Sequence, residues 1–212
     1  MQIPTEPYLR SLEYRPSNGQ HIIAHHTDHD IVVYQAYNDE IAGFAIKHQH
    51  LGGDHFSYNR MSWIKPNFLW MMFRCGWAQK ANQERVLAIR ISKQHFDDIL
   101  SKAVFSSFND GYKSHKAWRA DLETKDVRLQ WDPDHDPYGN KLTRRAIQLG
   151  LKGKALEEFG KERLLSIEDI TEFVLAQVEH VNAKDLNQLL VPVERIYIPS
   201  DASVINSIGL DQ

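Results

Sequence analysis

A chain of 212 residues, 42% hydrophobic and 25% charged, has the composition of a globular protein and excludes a disordered one. A formal charge of −3 gives no general attraction to nucleic acid or membrane, and a single cysteine, Cys75, forbids an internal disulfide. No apolar run approaches the ~18 residues of a membrane span, and residues 1–6 lack the basic and apolar regions of a signal peptide, so a cytoplasmic chain is expected.

With no internal repeat or Gly/Pro/Ser-rich linker, residues 1–212 read as one domain, residues 1–30 being a polar, loop-like N-terminal extension. Ile31–Tyr37 is β-branched and aromatic and predicts a strand. Asn38 then caps a helix with Ile41, Phe44 and Ala45 on its apolar face, which stops before Leu51-Gly-Gly53. Met61–Ile64 predicts a short strand closed by Lys65-Pro66, and Asn67 caps a buried helix, Phe68–Arg74, that ends at Gly76. Val86–Ile91 is a clear strand, and Ser92 caps a helix with Phe96, Ile99, Leu100, Ala103 and Val104 on one face. Val127–Trp131 alternates as a strand and runs into a dense turn signal, Asp132–Gly139. Arg145–Leu151 alternates likewise. Lys154–Phe159 predicts a short helix, Ile167–Val181 a longer one capped by Ser166, and Arg195–Ile198 a last strand. Strands scattered among helices without a regular βαβ repeat give an α+β fold.

Three clusters carry candidate chemistry. The His-rich run (His21, His25, His26 and His29 with Asp28 and Asp30) has metal-ligand residue types. It lacks a helical His-x-x-x-His framework or a distant partner motif, so it reads as a solvated loop, dispensable for fold and activity. No metal is expected. Between Arg60 and Arg90 the bases Arg60, Lys65, Arg74, Lys80, Arg85 and Arg90 face one acid, Glu84, a local excess of five positive charges. This is either a solvated basic face or a wall for phosphates. Trp63 and Trp77 flank the buried helix beside Ser62, Lys65 and Arg74, and an indole beside cations suits a flat ring carrying a phosphate. The third cluster, Gln130-Trp-Asp-Pro-Asp-His-Asp136, is either an acidic turn or a set of carboxylates for acid–base or electrostatic work.

The runs Arg60-Met-Ser-Trp-Ile-Lys-Pro-Asn-Phe-Leu-Trp-Met-Met72, Gln83-Glu-Arg-Val-Leu-Ala-Ile-Arg-Ile91, Val127-Arg-Leu-Gln-Trp-Asp-Pro-Asp134 and Arg145-Ala-Ile-Gln-Leu-Gly150 strongly resemble the family called domain of unknown function 4291. Tyr34-Gln-Ala-Tyr37 and Ser166-Ile-Glu-Asp-Ile-Thr171 look like its outer landmarks, so the likeness runs over roughly residues 30 to 175. That family in turn looks like a divergent branch of the ADP-ribosyltransferases. The resemblance implies a split mixed β core with flanking helices, NAD as co-substrate, no metal, and transfer of ADP-ribose to a macromolecular acceptor such as a protein side chain. It implies a first strand carrying Tyr34 and Gln35, with Gln35 where Arg or His is usual, and a second supplying Ser62. A third offers Gln130-x-Asp132 in place of Gln-x-Glu, with Asp134 two residues on. Asp132 or Asp134, assisted by Gln130, is the expected catalytic carboxylate. Trp63 or Trp77 is expected to stack on nicotinamide, and Arg60, Lys65 and Arg74 to hold the pyrophosphate. A nucleotide- or nucleic-acid-binding module without catalysis is the alternative for the same surface.

Overall fold

The computed structural model describes residues 3–109 and 111–211. In chain order the elements are β1 (Thr5–Pro7), α1 (Tyr8–Ser11), β2 (Ile22–Ala24), β3 (Asp30–Tyr37), α2 (Asp39–His48), β4 (Ser62–Ile64), α3 (Phe68–Cys75), β5 (Arg85–Ser92), α4 (Lys93–Ser101) and β6 (Ala103–Phe105). There follow α5 (His115–Thr124), β7 (Val127–His135), β8 (Lys141–Leu151), α6 (Gly153–Glu157), β9 (Leu164–Asp169), α7 (Thr171–Asn182), β10 (Leu190–Pro192), β11 (Arg195–Tyr197) and α8 (Ala202–Ile208). The fold is α+β.

Two sheets frame the molecule. One has strand order β3-β5-β9, antiparallel throughout, and the other β4-β8-β7-β6, antiparallel except for the parallel β6–β7 pair. Among the described residues, one backbone bridge joins them. Tyr34 N donates to the Lys65 carbonyl at 2.7 Å and Lys65 N returns a bond to the Tyr34 carbonyl at 3.2 Å, so β3 is joined to the end of β4 by a single bridge. Beyond that bridge the sheets part, and a cleft opens between them.

β3 and β5 are buried on both faces because side chains alternate along a strand. Ile31, Val33, Leu87, Ile89 and Ile91 enter one core, with Phe96, Leu129, Leu149 and Phe159. Val32, Tyr34, Val86 and Ala88 enter a second, with Phe68, Leu69, Met72 and Val174. The caps read from sequence form as expected: Asn38 accepts from Ile41 N, Asn67 from Trp70 N and Ser92 from His95 N, while Gly76 closes α3 at φ 58°.

Four readings of the chain are corrected. Residues 3–30 are no polar extension: Ile3, Tyr8, Ile22, Ile23 and Ala24 are buried, β1 pairs with β10 and β2 with β11, so the two ends of the chain close over the cores. The strand at Val127 does not turn at Asp132 but continues to His135 through an irregularity near Pro133, because β8 extends back to Lys141 to pair with it. Ala103 and Val104 leave α4 to form β6 against Val127 and Arg128. Ser166 lies inside β9, paired to Arg90, and α7 starts only at Thr171, whose N–H and hydroxyl donate to the Asp169 carboxylate at 2.9 and 2.5 Å.

The His-rich run is also part of the structure. His25 is buried with its Nδ1 2.8 Å from the Val193 carbonyl, and His26 lies 3.2 Å from the Ile196 carbonyl, so these two rings contact the C-terminal segment instead of lying free in a solvated loop. Among the described residues, no group of three or more His, Cys, Asp or Glu side chains is arranged to hold a metal.

His95, at the start of α4, is 1% exposed, and among the described residues neither ring nitrogen has a partner. Burial, helped by the nearby Arg163, lowers its pKa from 6.5 to about 4. The unfolded chain therefore binds the proton first as pH falls. Stability contributed by neutral His95 is intact above pH 6.5 and is lost between 6.5 and 4, by up to roughly 3 kcal/mol. Urea denaturation at pH 7 and pH 4.5 should show this loss in the wild type and a smaller one in His95→Leu. An equal loss in both would contradict the assignment.

Candidate functional site

The cleft where the sheets part has a volume of about 440 Å³ and is lined from both sides. β3 contributes Gln35 and Tyr37, β4 contributes Ser62 and Trp63, β7 and β8 contribute Gln130 and Gln148, and Lys65, Met71, Arg74 and Gln83 complete the wall with Met61. This size suits a small-molecule site.

On one side Gln35 Nε2 donates to Ser62 Oγ at 2.7 Å, and the Tyr37 hydroxyl donates to Gln35 Oε1 at 2.8 Å while lying 2.9 Å from Ser62 Oγ. The three side chains form a closed ring of hydrogen bonds that fixes the orientation of the Gln35 amide. Burial raises the Tyr37 hydroxyl above its usual pKa, although its bond to Ser62 opposes the shift. It is a neutral donor at physiological pH.

On the other side Gln130 and Gln148 face each other across the β7–β8 pair. Both Nε2 groups donate to one carboxylate, Gln130 to Asp132 Oδ1 at 2.8 Å and Gln148 to Asp132 Oδ2 at 2.7 Å. Gln130 and Asp132 meet because alternate residues share a strand face. Asp132 is partly buried and stands behind these two amides.

Lys65 is 3% exposed, its backbone held in the bridge between the sheets and its Nζ 3.4 Å from the Trp63 carbonyl. Burial, reinforced by Arg74 and opposed by Asp132, lowers its pKa to about 7. A lysine so placed is divided between amine and ammonium at neutral pH, whereas Arg74, whose Nη1 donates to Gln83 Oε1 at 3.2 Å, stays charged.

Of the expected site residues, Gln35, Ser62, Trp63, Lys65, Arg74 and Gln130 come together in this cleft, with Asp132 behind it. The others lie elsewhere. Tyr34 points to the opposite face of β3, fully buried and edge-on to Phe68, because alternation sends residues 34 and 35 to opposite sides. Trp77 follows Gly76 into a left-handed turn (φ 55°) that carries its indole away, to donate to the Pro137 carbonyl at 3.2 Å. Arg60 is exposed and does not reach the cleft wall. Asp134 is 0% exposed and accepts from Arg144 Nε at 2.5 Å, so it is sealed in an ion pair and faces no ligand. Of the remaining bases, Arg85 pairs with Asp169 and Asp39, Arg90 with Asp30, and Lys80 binds the carbonyls of Phe73 and Arg74 at the end of α3. The basic excess is thus largely spent on structure, with Lys65 and Arg74 left in the cleft.

Sequence reasoning passed over Tyr37, Gln83 and Gln148. Tyr37 was accessible, since it shares a face with Gln35; Gln148 depends on the β7–β8 register, which no local pattern shows.

Gly150 pairs with Trp63 across β4 and β8, and a Cβ there would meet Met61 Sδ at 2.7 Å and the Trp63 ring at 3.0 Å. Gly150→Ala should therefore displace the indole, at a stability cost of about 1–3 kcal/mol, and shift the tryptophan fluorescence. An unchanged emission spectrum would show that the indole does not rest on Gly150.

No curated protein matches the chain. The family model described as Domain of unknown function (DUF4291) matches residues 21–197, a span that holds both sheets and every residue of the cleft, and the chain belongs to that family.

Proposed function

We propose that this protein is an NAD-dependent ADP-ribosyltransferase acting in the cytoplasm on a macromolecular acceptor, with a protein side chain as the preferred target class. The observation that carries the reading is the convergence of Gln35, Ser62 and Gln130 at one cleft, with Asp132 bonded to Gln130 behind it. They come from three strands of two sheets that part beyond a single bridge, which accords with a split mixed β core of the ADP-ribosyltransferase type.

In this reading the bond between nicotinamide and the ribose C1 breaks, and nicotinamide leaves with the bonding electrons, which neutralise its pyridinium ring. The ribose becomes oxocarbenium-like, as in glycoside cleavage. Asp132 supplies the negative charge that stabilises it, held in place by Gln130 and Gln148. Trp63 stacks on the nicotinamide ring, and Gln35, Ser62 and Tyr37 hold the nucleoside. Arg74 takes the pyrophosphate, with Lys65 once protonated. The acceptor bonds to C1 and releases its proton. With Lys65 and Arg74 as the cleft's bases, the wall is too weakly cationic for the charged track that single-stranded nucleic acid requires.

Incubation with NAD tests the proposal: nicotinamide should be released, faster when an acceptor protein is present. Binding of NAD with no release would leave the nucleotide-binding module as the reading.

A further inference from the structure

The cleft contains a group that the transferase reading does not need in the form in which the structure holds it. Lys65 is 3% exposed yet forms part of the cleft wall. Its backbone is fixed by two hydrogen bonds to Tyr34 and by the following Pro66, and its Nζ has one acceptor among the described residues, the Trp63 carbonyl at 3.4 Å. A lysine meant only to hold an anion is better placed in water, where it keeps its charge. Burial favours the neutral amine, whose lone pair is a nucleophile. The charged and titratable groups that act on it are Arg74 and Cys75 from α3 and Asp132 from β7. Together with burial, they place its pKa at about 7.

The second feature is Arg74 in the same wall, an exposed guanidinium that makes one bond among the described residues, to Gln83. An uncharged amine within the cleft and a permanent cation beside it form a two-point site for a molecule with an electrophilic carbon and an anionic group. The remaining wall is built of neutral donors and acceptors, Gln35, Tyr37, Ser62 and Gln148, which suit hydroxyls in between.

We propose that Lys65 is an imine-forming residue that captures the open-chain aldehyde of a phosphorylated aldose, with the phosphate held by Arg74. The Nζ lone pair attacks the carbonyl carbon, the carbonyl oxygen gains a proton, and the carbinolamine loses water. One aldehyde and one amine give one imine and one water, with no redox change. The protonated imine is a cation, and Asp132 offsets its charge, as it favours the protonated form of Lys65 itself. This activity does not depend on NAD.

The test uses D-glyceraldehyde 3-phosphate with the intact protein and sodium cyanoborohydride, which reduces the imine to a stable secondary amine. The modified residue is then mapped by peptide mass spectrometry. One adduct is expected, on Lys65, forming at a rate that rises with pH to half its maximum near 7. D-Glyceraldehyde, which lacks the phosphate, should label Lys65 about tenfold more slowly, the effect of one charge-assisted contact. Arg74→Gln, a change at an exposed position, should remove that preference and move the half-maximum to higher pH, because Arg74 helps to lower the Lys65 pKa. Adducts spread over exposed lysines with Lys65 unmodified would overturn the proposal, as would equal labelling of Lys65 with and without the phosphate. Nicotinamide release from NAD, measured on the same sample without the aldehyde, tells failure of this proposal apart from failure of the transferase reading.

Discussion

Arg144→Met is expected to lower stability by about 3–5 kcal/mol, because it leaves a buried carboxylate without its cation. Asp134 is 0% exposed and Arg144 5%, and their contact at 2.5 Å excludes water from both charges. Without the guanidinium, the carboxylate would keep one partner among the described residues, the N–H of His135 at 2.8 Å. A second buried ion pair stands close by. Arg15 and Glu194 meet at 3.2 Å with both side chains fully buried, and Glu194 also accepts from Phe68 N at 2.8 Å. Burial pushes Glu194 up, against the lowering effect of Arg15, and Asp134 adds to the upward push. These pairs tie the N-terminal segment and the Glu194 segment to β7, β8 and the start of α3, so breaking one exposes the seam between the chain ends and the cores. Replacing both partners, as in Asp134→Leu with Arg144→Met, should destabilise less than Arg144→Met alone, because no unpaired charge remains. Guanidinium denaturation of the three proteins gives the comparison. A double variant less stable than the single one would contradict it.

The second large effect is on catalysis. Asp132→Asn should reduce NAD cleavage by roughly 10²–10³ while NAD still binds, since one preorganised electrostatic partner is removed from the transition state. The geometry adds a requirement. Asp132 accepts two amide N–H groups on two oxygens, but Asn offers one acceptor and one donor, so either Gln130 or Gln148 must turn its amide over. The stability change should be small beside that of Arg144→Met, because Asp132 is partly exposed and has no ion-pair partner among the described residues. The fate of the two acids separates what the sequence left joined: Asp132 and Asp134 are two residues apart, yet one stands behind the cleft wall and the other is sealed beneath the chain ends.

Much of the fold was legible because the signals are local. Helix caps at Asn38, Asn67 and Ser92, and the Gly76 stop, are set by backbone groups within four residues, so they are written in sequence. Strands β3 and β5 are buried on both faces and show as β-branched runs. What failed depends on distant partners. Ile167, Ile170, Val174 and Val178 keep helical spacing across a strand–helix junction, and only pairing with β5 keeps the first of them in β9. The polar look of residues 3–30 hides apolar residues that are buried by β10 and β11, nearly the whole chain away. Four of six bases between Arg60 and Arg90 leave the cleft because their partners, such as Asp169 and Asp30, lie far off in sequence or because their position turns them outward. Strand alternation places Gln35 and Gln130 on the cleft side and loses Tyr34 by the same rule, whereas Lys65 and Arg74 reach the cleft from the bridge and from α3.

Nicotinamide release from NAD by the wild-type protein and by Asp132→Asn, measured side by side at neutral pH, decides whether the cleft is catalytic. Release by the wild type above the spontaneous rate is expected, with a near-complete loss in the variant. No release by the wild type, or equal release by both proteins, would contradict this expectation.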